Sequence, residues 1–565
     1  MRHDKATMRH VSLKTLKSSC RFLIAFGVLL HLALRSAPCA WSEDAAVQID
    51  DSQSILKSIL FGFDNVHQIF ANCSAGNVSF DRLGRQADSP AMRWDVNYQP
   101  GQSSFCKKRY NTRRFKGGER MRFYTRSSAP GFMLVELEEE KGEVFYSVVP
   151  VGTEWSLISL KFSNFKVLPR TQQDGVLDRK KILRVIIEDP SAFFGARGNR
   201  TLWFSEWFVD AFDLSLKSRP YYLGFMQWPT VGAFQKQIPV SDELIRDHAD
   251  LIAFHIDGGV PWLEALDNRL LSSPSLMQAV ADGKAKIPAG DKVYVAINPL
   301  NGDRNGLAPY WNGTDQSPPL PQEWGAYPLN HVNVKIAFLN YAKWIIEQFK
   351  PDYLVIGVEV NIPMARNYKL WQQYIELHQY VYAALKRAYP QLPIFASFQY
   401  DVIRTIAGKD SLRDRQAAEL AKLLPYCDVL GLSAYPFAGV IPGPQPLPDG
   451  YFDVALAFGK PIGLTETSYP SHDFTVSGHT LAFSPQDQEL FLEALLKQAG
   501  ENNFRFIISN VSQDFDQALL KWPAEVQQFL IWWAYDGLQD SSGQYKPALD
   551  FWDAYLKLPK RSAFP

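Results

Sequence analysis

Tyr353-Leu-Val-Ile-Gly-Val-Glu359 and Ile462-Gly-Leu-Thr-Glu466 share one grammar, a short apolar run that ends in a carboxylate. Unbroken apolar runs of this length are the mark of strands buried on both faces, as in a parallel sheet. Six more such runs flank them: Tyr221 to Met226, Leu251 to Ile256, Val293 to Ile297, Ile394 to Phe398, Val429 to Ser433 and Phe504 to Ser509. Helical segments separate them. The clearest is expected from Pro485 to Ala499, with Ser484 as cap, Pro485 in the first turn and Gly500 as left-handed terminator. Eight strand-helix units in residues 218–560 make the arithmetic of an α/β chain folded as a (β/α)8 TIM barrel. No Gly-x-Gly-x-x-Gly follows the first strand, which argues against an open dinucleotide-binding sheet.

In such a barrel the chemistry lies where the strands end. A glutamate closing an apolar strand cannot enter the packed core without a cost of several kcal/mol, so Glu359 and Glu466 are expected in a polar cleft. The 107 positions between them fit three βα units, which points both into one cleft. Two carboxyls flanking a bond are what glycoside hydrolysis needs: one protonates the leaving oxygen, and the other attacks the anomeric carbon or activates water. The competing reading is that the glutamates are ion-pair partners of Lys or Arg across strand ends.

The other strand ends are polar. Trp228 follows the first strand, His255 and Asp257 the second, Asn298 and Asn301 the third, and Gln399 and Asp401 the fifth, while Asn510 ends the eighth. With Asn361, these are candidate substrate contacts. Trp228 and Trp311 are candidate sugar platforms, although any one Trp is as readily packing. The Gly-, Pro- and Asn-containing loop from Gly302 to Tyr327 is a candidate cleft wall.

Together with Asp428-Val-Leu-Gly-Leu-Ser-Ala-Tyr435-Pro-Phe and the closing segment Gly537-Leu-Gln-Asp-Ser-Ser-Gly-Gln-Tyr-Lys-Pro-Ala-Leu-Asp-Phe-Trp552, the strand-end glutamates resemble clan A glycoside hydrolases, within them the endo-β-1,4-galactanase-like family. The resemblance covers about residues 220–557. It implies Glu359 as acid/base, Glu466 as nucleophile, Tyr435 as the hydroxyl that positions the nucleophile, retention of configuration, and no metal or cofactor. The sequence departs from that pattern in two places: Val358 stands where the clan carries Asn, and Asn510 stands where many relatives carry Trp. These departures keep open an alternative, a non-catalytic carbohydrate-binding or scaffold protein on a glycosidase-like barrel. An inverting enzyme on the same barrel would need carboxyls ~6.5 to 9.5 Å apart.

From Ser58 to Leu216 the pattern is different: short alternating or aromatic-rich runs such as Met92 to Tyr98, Arg120 to Thr125, Phe132 to Leu137, Val144 to Val149 and Ile182 to Ile187. With no helix-period segment among them, their apolar faces must meet a second sheet, so an all-β jelly-roll-like sandwich is expected over residues 58–217, after a linker at 41–57. Trp94-Asp-Val-Asn-Tyr98, the segment Gly142 to Trp155, Asn164-Phe165 and Thr201-Leu-Trp-Phe204 resemble the galactose-binding-like sandwiches of carbohydrate-binding modules. The alternative is a domain that only braces the barrel. Cys73 and Cys106 can pair in an oxidising compartment, whereas Cys427 reads as a buried thiol.

Residues 1–40 open with scattered basic groups, then the 13-residue apolar run Phe22 to Leu34, then small residues. This is a secretory signal pattern, too short for a membrane span, and it implies a secreted or periplasmic protein. The whole chain of 565 residues balances 59 Lys+Arg against 59 Asp+Glu. Loss of the leader, with seven basic groups and one acidic, leaves a mildly acidic protein. That balance excludes the electrostatic footprint of a nucleic-acid binder, so the partner expected is a carbohydrate. Five Asn-x-Ser/Thr sequons occur, at Asn72, Asn77, Asn199, Asn312 and Asn510.

Overall fold

The computed structural model describes residues 58–561 apart from 62–69, 71, 82–89, 110–119, 211–215, 228–239, 257, 315–317, 322, 405–409, 440–446, 449 and 477. The expected leader, linker, Trp228 and Asp257 lie outside the described residues. The chain divides into two compact units, within Ser42–Ser215 and Leu216–Pro565.

The first unit is a sandwich of two antiparallel six-stranded sheets. One runs in the order Asn77–Asp81, Ala91–Asn97, Asn199–Asp210, Arg120–Ser127, Ser156–Lys161, with Ser58–Phe61 also paired to Asn199–Asp210. The other runs Lys166–Val167, Val144–Val151, Gly131–Glu139, Ile182–Asp189, Ser104–Arg109, Asn72–Cys73. Alternation does the sorting: Met92, Trp94 and Val96 from one sheet and Met133, Val135 and Leu137 from the other are fully buried in a shared core. Phe123 stacks on Trp207 with ring centroids 4.1 Å apart. A buried ion pair ties the sheets together, Arg200 Nη1 to Asp189 Oδ2 at 3.2 Å, with Arg200 Nε donating to Ser127 Oγ at 2.7 Å. Cys73 and Cys106 are directly paired across two strands, Cα atoms 4.0 Å apart, and form a disulfide.

The second unit is built on a nearly closed parallel sheet with helices in its connections. Its strands are β1 (Tyr222–Gln227), β2 (Leu251–Ile256), β3 (Lys292–Ile297), β4 (Tyr353–Val355), β5 (Ile394–Phe395), β6 (Ser397–Gln399), β7 (Leu430–Ala434), β8 (Ile462–Thr467) and β9 (Phe506–Ser509), hydrogen-bonded in the order β5-β4-β3-β2-β1-β9-β8-β7-β6. There are thus nine segments where eight strands were expected. The extra one arises because the run Ile394 to Phe398 is interrupted at Ala396: its first piece pairs with β4 and its second with β7. The chain itself, passing through Ala396, joins the two ends of the hydrogen-bonded series.

Aspartates seal the starts of these strands. Asp250, just before β2, accepts from Leu223 N on β1 at 2.7 Å; Asp352, before β4, accepts from Val293 N on β3 at 2.9 Å; Asp428, before β7, accepts from Ile394 N on β5 at 2.8 Å. Each closes a backbone donor that the slanted parallel ladder leaves open at its edge.

Inside the ring lies an aromatic layer. Phe506 meets Tyr294, Phe395 and Tyr353 at centroid distances of 5.6, 6.1 and 4.7 Å. The layer needs glycine opposite it: a Cβ on Gly463 would stand 2.3 Å from Phe506 Cζ, and one on Gly431 2.9 Å from Phe395 Cε2.

The helix expected from Pro485 to Ala499 runs Pro485–Glu501, with Ser484 Oγ accepting from Asp487 N as foreseen. Its terminator is not Gly500, which lies within the helix and must be glycine for another reason: a Cβ there would stand 1.9 Å from Leu216 Cδ1. The left-handed residue is Asn503, φ +55°. Among the described residues no helix is long and apolar enough to cross a membrane. Cys427 is buried, and burial pushes its thiol up to about 12, an inert state.

Gly463→Ala is expected to destabilise the second unit by ~1–3 kcal/mol, because the added methyl forces the Phe506 ring aside. Gly325→Ala, with nothing within 4 Å of the added atom, should stay within about 0.5 kcal/mol. Calorimetric unfolding of both variants checks the contrast, and equal midpoints would refute the interior role of Gly463.

Candidate active site

The apolar run of β4 leaves the ladder before its carboxylate. Strand pairing stops at Val355, three residues short of the expected Val358, because Ser397 takes over: its N–H donates to Gly357 O at 2.9 Å, its carbonyl accepts from Val360 N at 3.1 Å, and its Oγ accepts from Glu359 N at 3.0 Å. The loop that results holds Glu359 at φ +50°. For a residue with a Cβ that conformation costs ~1–2 kcal/mol, so the surrounding contacts must fix it.

Glu466 is turned by a different device. Along β8, Leu464 pairs with Leu432 and Glu466 with Ser433, so Thr465 is an extra residue bulged out of the ladder. A bulge re-aims the side chains beside it. Without it Glu466 would stand opposite Ala434 and face the other way; with it, Glu466 shares the face of Ser433.

Ser433 then joins the two carboxylates. Its backbone is the ladder partner of Glu466, and its Oγ donates to Glu359 Oε1 at 2.8 Å. Tyr435, two residues on, donates from its hydroxyl to Glu466 Oε2 at 3.0 Å and accepts from Asn510 Nδ2 at 2.8 Å. Tyr435 is placed in turn by Asp401, whose Oδ2 accepts from Tyr435 N at 2.8 Å and whose Oδ1 accepts from Tyr451 OH at 2.5 Å. The edge of Trp533 meets the Tyr435 ring at 6.0 Å.

Burial dominates the acidity of Glu359 and pushes its carboxyl above the usual range; the Arg304 guanidinium, 3.5 Å from Oε2, and the Ser433 hydroxyl pull the other way. His255 Nδ1 lies 3.6 Å from Glu466 Oε1, beyond hydrogen-bond range. Burial first and Arg304 second depress this imidazole to about 3, so it is neutral and the approach is no ion pair at ordinary pH. Among the described residues its buried Nε2 has no hydrogen-bond partner, and neither has Nδ2 of Asn298, whose Oδ1 accepts from Leu300 N at 3.3 Å.

Glu359, Glu466, Tyr435, His255, Asn298 and Asn510 therefore lie at the strand ends as expected. Asn361 does not present its amide to a cleft: Nδ2 donates to Gln399 O at 3.0 Å and Gln416 Oε1 at 3.2 Å, and Oδ1 accepts from Gln399 N at 2.8 Å. Both its donors are engaged, and it is fully buried. Gln399 is locked in the same clamp, its Oε1 accepting from Val402 N at 2.6 Å. Trp311 is likewise buried, and its backbone N–H donates to Val260 O at 3.1 Å, in the packing of the loop rather than as an open platform. Asn510, though in a sequon, is buried with its amide on Tyr435.

Three contributors escaped the sequence reading. Arg304 lies within the expected cleft-wall loop, and its guanidinium is buried there, donating to Asn301 O at 3.2 Å. Ser397 and Ser433 sit inside strands, where a serine reads as an ordinary interruption of the apolar run.

No family model and no curated protein matches the chain. Among solved structures, the chain is similar to the CBM22-1–GH10 modules of an endo-1,4-β-D-xylanase from Clostridium thermocellum, at 12% identity over 89% of this chain and 98% of that one, TM-score 0.38. It is also similar to an exo-β-1,4-mannosidase from Opitutaceae bacterium strain TAV5, at 16% identity over 60% of each chain, TM-score 0.38. A family 11 carbohydrate-binding module from Clostridium thermocellum matches 28% of this chain and 95% of its own length, at 13% identity and TM-score 0.23.

Both groups that draw the Glu359 proton off can be removed singly. Ser433→Ala and Arg304→Met should each raise the Glu359 carboxyl pKa further, read by carbon-13 NMR titration of labelled glutamate. A fall in either variant would contradict the assignment of forces.

Proposed function

We propose that the chain is a secreted glycoside hydrolase that cleaves a β-linked glycan with retention, on a (β/α)8 barrel in which β5 and β6 are two pieces of one strand. The observation that carries the reading is the Ser433 bridge, which puts the Glu359 carboxyl beside the residue that pairs with Glu466. The β-1,4-galactan class that the sequence resemblance implies is the first substrate to try, and the sandwich is its carbohydrate-binding module.

The division of labour follows from surroundings. A carboxyl raised by burial holds its proton at a pH where an ordinary glutamate has lost it, which is what a general acid requires. Glu359 passes that proton to the glycosidic oxygen as the bond to the anomeric carbon breaks. Glu466, held by the Tyr435 hydroxyl, attacks that carbon from the opposite face and forms a glycosyl ester. Glu359, now a carboxylate, takes a proton from water as the water's oxygen displaces Glu466 and releases the sugar with its configuration retained. Arg304 and Ser433 stabilise the charge Glu359 carries between the two steps.

Incubation with β-linked polysaccharides and aryl glycosides, with the product anomer followed by NMR, tests the reading. Wild type should release the retained anomer and Glu466→Gln none. Glu359→Gln should lose about 10²–10⁴-fold with poor leaving groups and far less with activated ones, which need no protonation. The alkaline limb of kcat/KM should follow the raised Glu359 pKa, since activity falls as that proton is lost. Glycan binding without product release by any form would favour the non-catalytic alternative.

A further inference from the structure

At the opposite end of the parallel sheet, where the strands begin, lies a cavity of about 430 Å³. Lys292 from the start of β3, Arg505 from just before β9, and Lys560 and Arg561 from the C-terminal segment line it, together with Asp352 and Tyr222. The C-terminal segment is stitched to the entry of β1: Arg219 N donates to Pro559 O at 3.1 Å and Arg561 N to Arg219 O at 2.9 Å. The C-terminal segment therefore brings Lys560 and Arg561 to the cavity that Lys292 and Arg505 line from the strand starts.

Asp352 and Asp250 are already engaged, whereas Asp291, next to Lys292 but outside the lining, keeps a buried Oδ2 with no hydrogen-bond partner among the described residues. Asp352, the carboxylate in the lining, takes Lys292 Nζ at 2.7 Å as well as the Val293 N–H. Neighbouring Asp250 takes Arg219 at 2.7 Å and the Leu223 N–H. Arg505 has no ion-pair or side-chain hydrogen-bond partner among the described residues. Arg561 donates from Nη2 to Gly500 O at 3.1 Å, but its Nε is a buried donor with no acceptor. Lys560 has the face of the Tyr222 ring and, among the described residues, no ion-pair partner. Within the lining four basic side chains meet one carboxylate, Asp352, which Lys292 already occupies, and a buried donor without an acceptor is unfavourable.

We propose that this cavity binds a small dianion of the phosphate class. Such an anion accepts forked hydrogen bonds from guanidinium groups and takes the ammonium as a point charge. The state of Lys560 agrees with this: burial, and next to it the opposing pull of Asp250 and the push of Arg219, Lys292 and Arg505, leave its ammonium lowered to about 7, a penalty that a bound anion offsets. The volume exceeds what one phosphate fills, so the phosphoryl group of a small metabolite fits as well as the free ion.

Titration calorimetry on the whole protein at fixed ionic strength, with inorganic phosphate and with a hexose monophosphate, tests this against chloride as control. Saturable binding of phosphate or of the ester is expected, weakened on the order of tenfold in Arg505→Ala and in Lys560→Gln and by added salt. Tighter binding of the ester would identify the ligand as a phosphorylated metabolite, and equal binding would identify the free ion. Lys560→Gln, on the terminal segment, keeps the test decisive if Arg505→Ala unfolds. No saturable heat from either anion, or affinities unchanged in the folded variants, would overturn the proposal.

Discussion

A carboxylic acid largely withdrawn from water beyond the end of a strand is either neutral or compensated, and at Glu359 burial and polar neighbours act together. Burial favours the protonated form, while one guanidinium at 3.5 Å and one hydroxyl at 2.8 Å favour the ionised form. Burial is the larger influence, and the two polar neighbours oppose it. The left-handed backbone at Glu359, the early end of β4 and the capture of that loop by Ser397 are the structural terms of this balance. Each aims a carboxyl that an undistorted strand would send elsewhere.

The second carboxyl depends on the same neighbour by another route. Ser433 reaches Glu359 with its side chain and Glu466 with its backbone, so the strand between the two acids sets their relation. The Asp401–Tyr435–Glu466 series adds a second fixed path, from a buried aspartate through a backbone N–H and then a phenol. Beneath them the Phe506 layer closes the ring, which keeps polar groups to the rim and gives the acids a dry floor.

The sequence made the parallel sheet legible because apolar runs bounded by helices survive any detail of side-chain placement, and it made Glu359 and Glu466 legible because a charge at the end of such a run has few places to go. What it hid was local. Nothing in Ile394 to Phe398 announces a break at Ala396. The bulge at Thr465 appears only when Ser433 is seen opposite Glu466. Asn361 looked like a sugar ligand because it stands two residues from an acid, but at that distance past a left-handed residue the chain has already turned inward, and its amide clamps Gln399. Arg304 was invisible because a lone arginine in a polar loop gives no sign that it will be buried against Glu359.

The two ends of the sheet answer the same electrostatic problem in opposite ways. Where the strands begin, aspartates accept the open N–H groups, and each such carboxylate is then consumed by backbone and by an adjacent cation. Lys560 and Arg561, brought there by the closing segment, add positive charge to a lining whose carboxylate, Asp352, is already occupied by Lys292. Where the strands end, the acids accumulate instead, and the cation beside them, Arg304, touches only one. Opposite surpluses at opposite ends of one sheet follow from its parallel direction: every strand starts beside the same kind of loop and finishes beside the other. A parallel sheet therefore separates functions that an antiparallel one would interleave, a carboxylate-lined rim suited to acid chemistry and a cationic base suited to an anion.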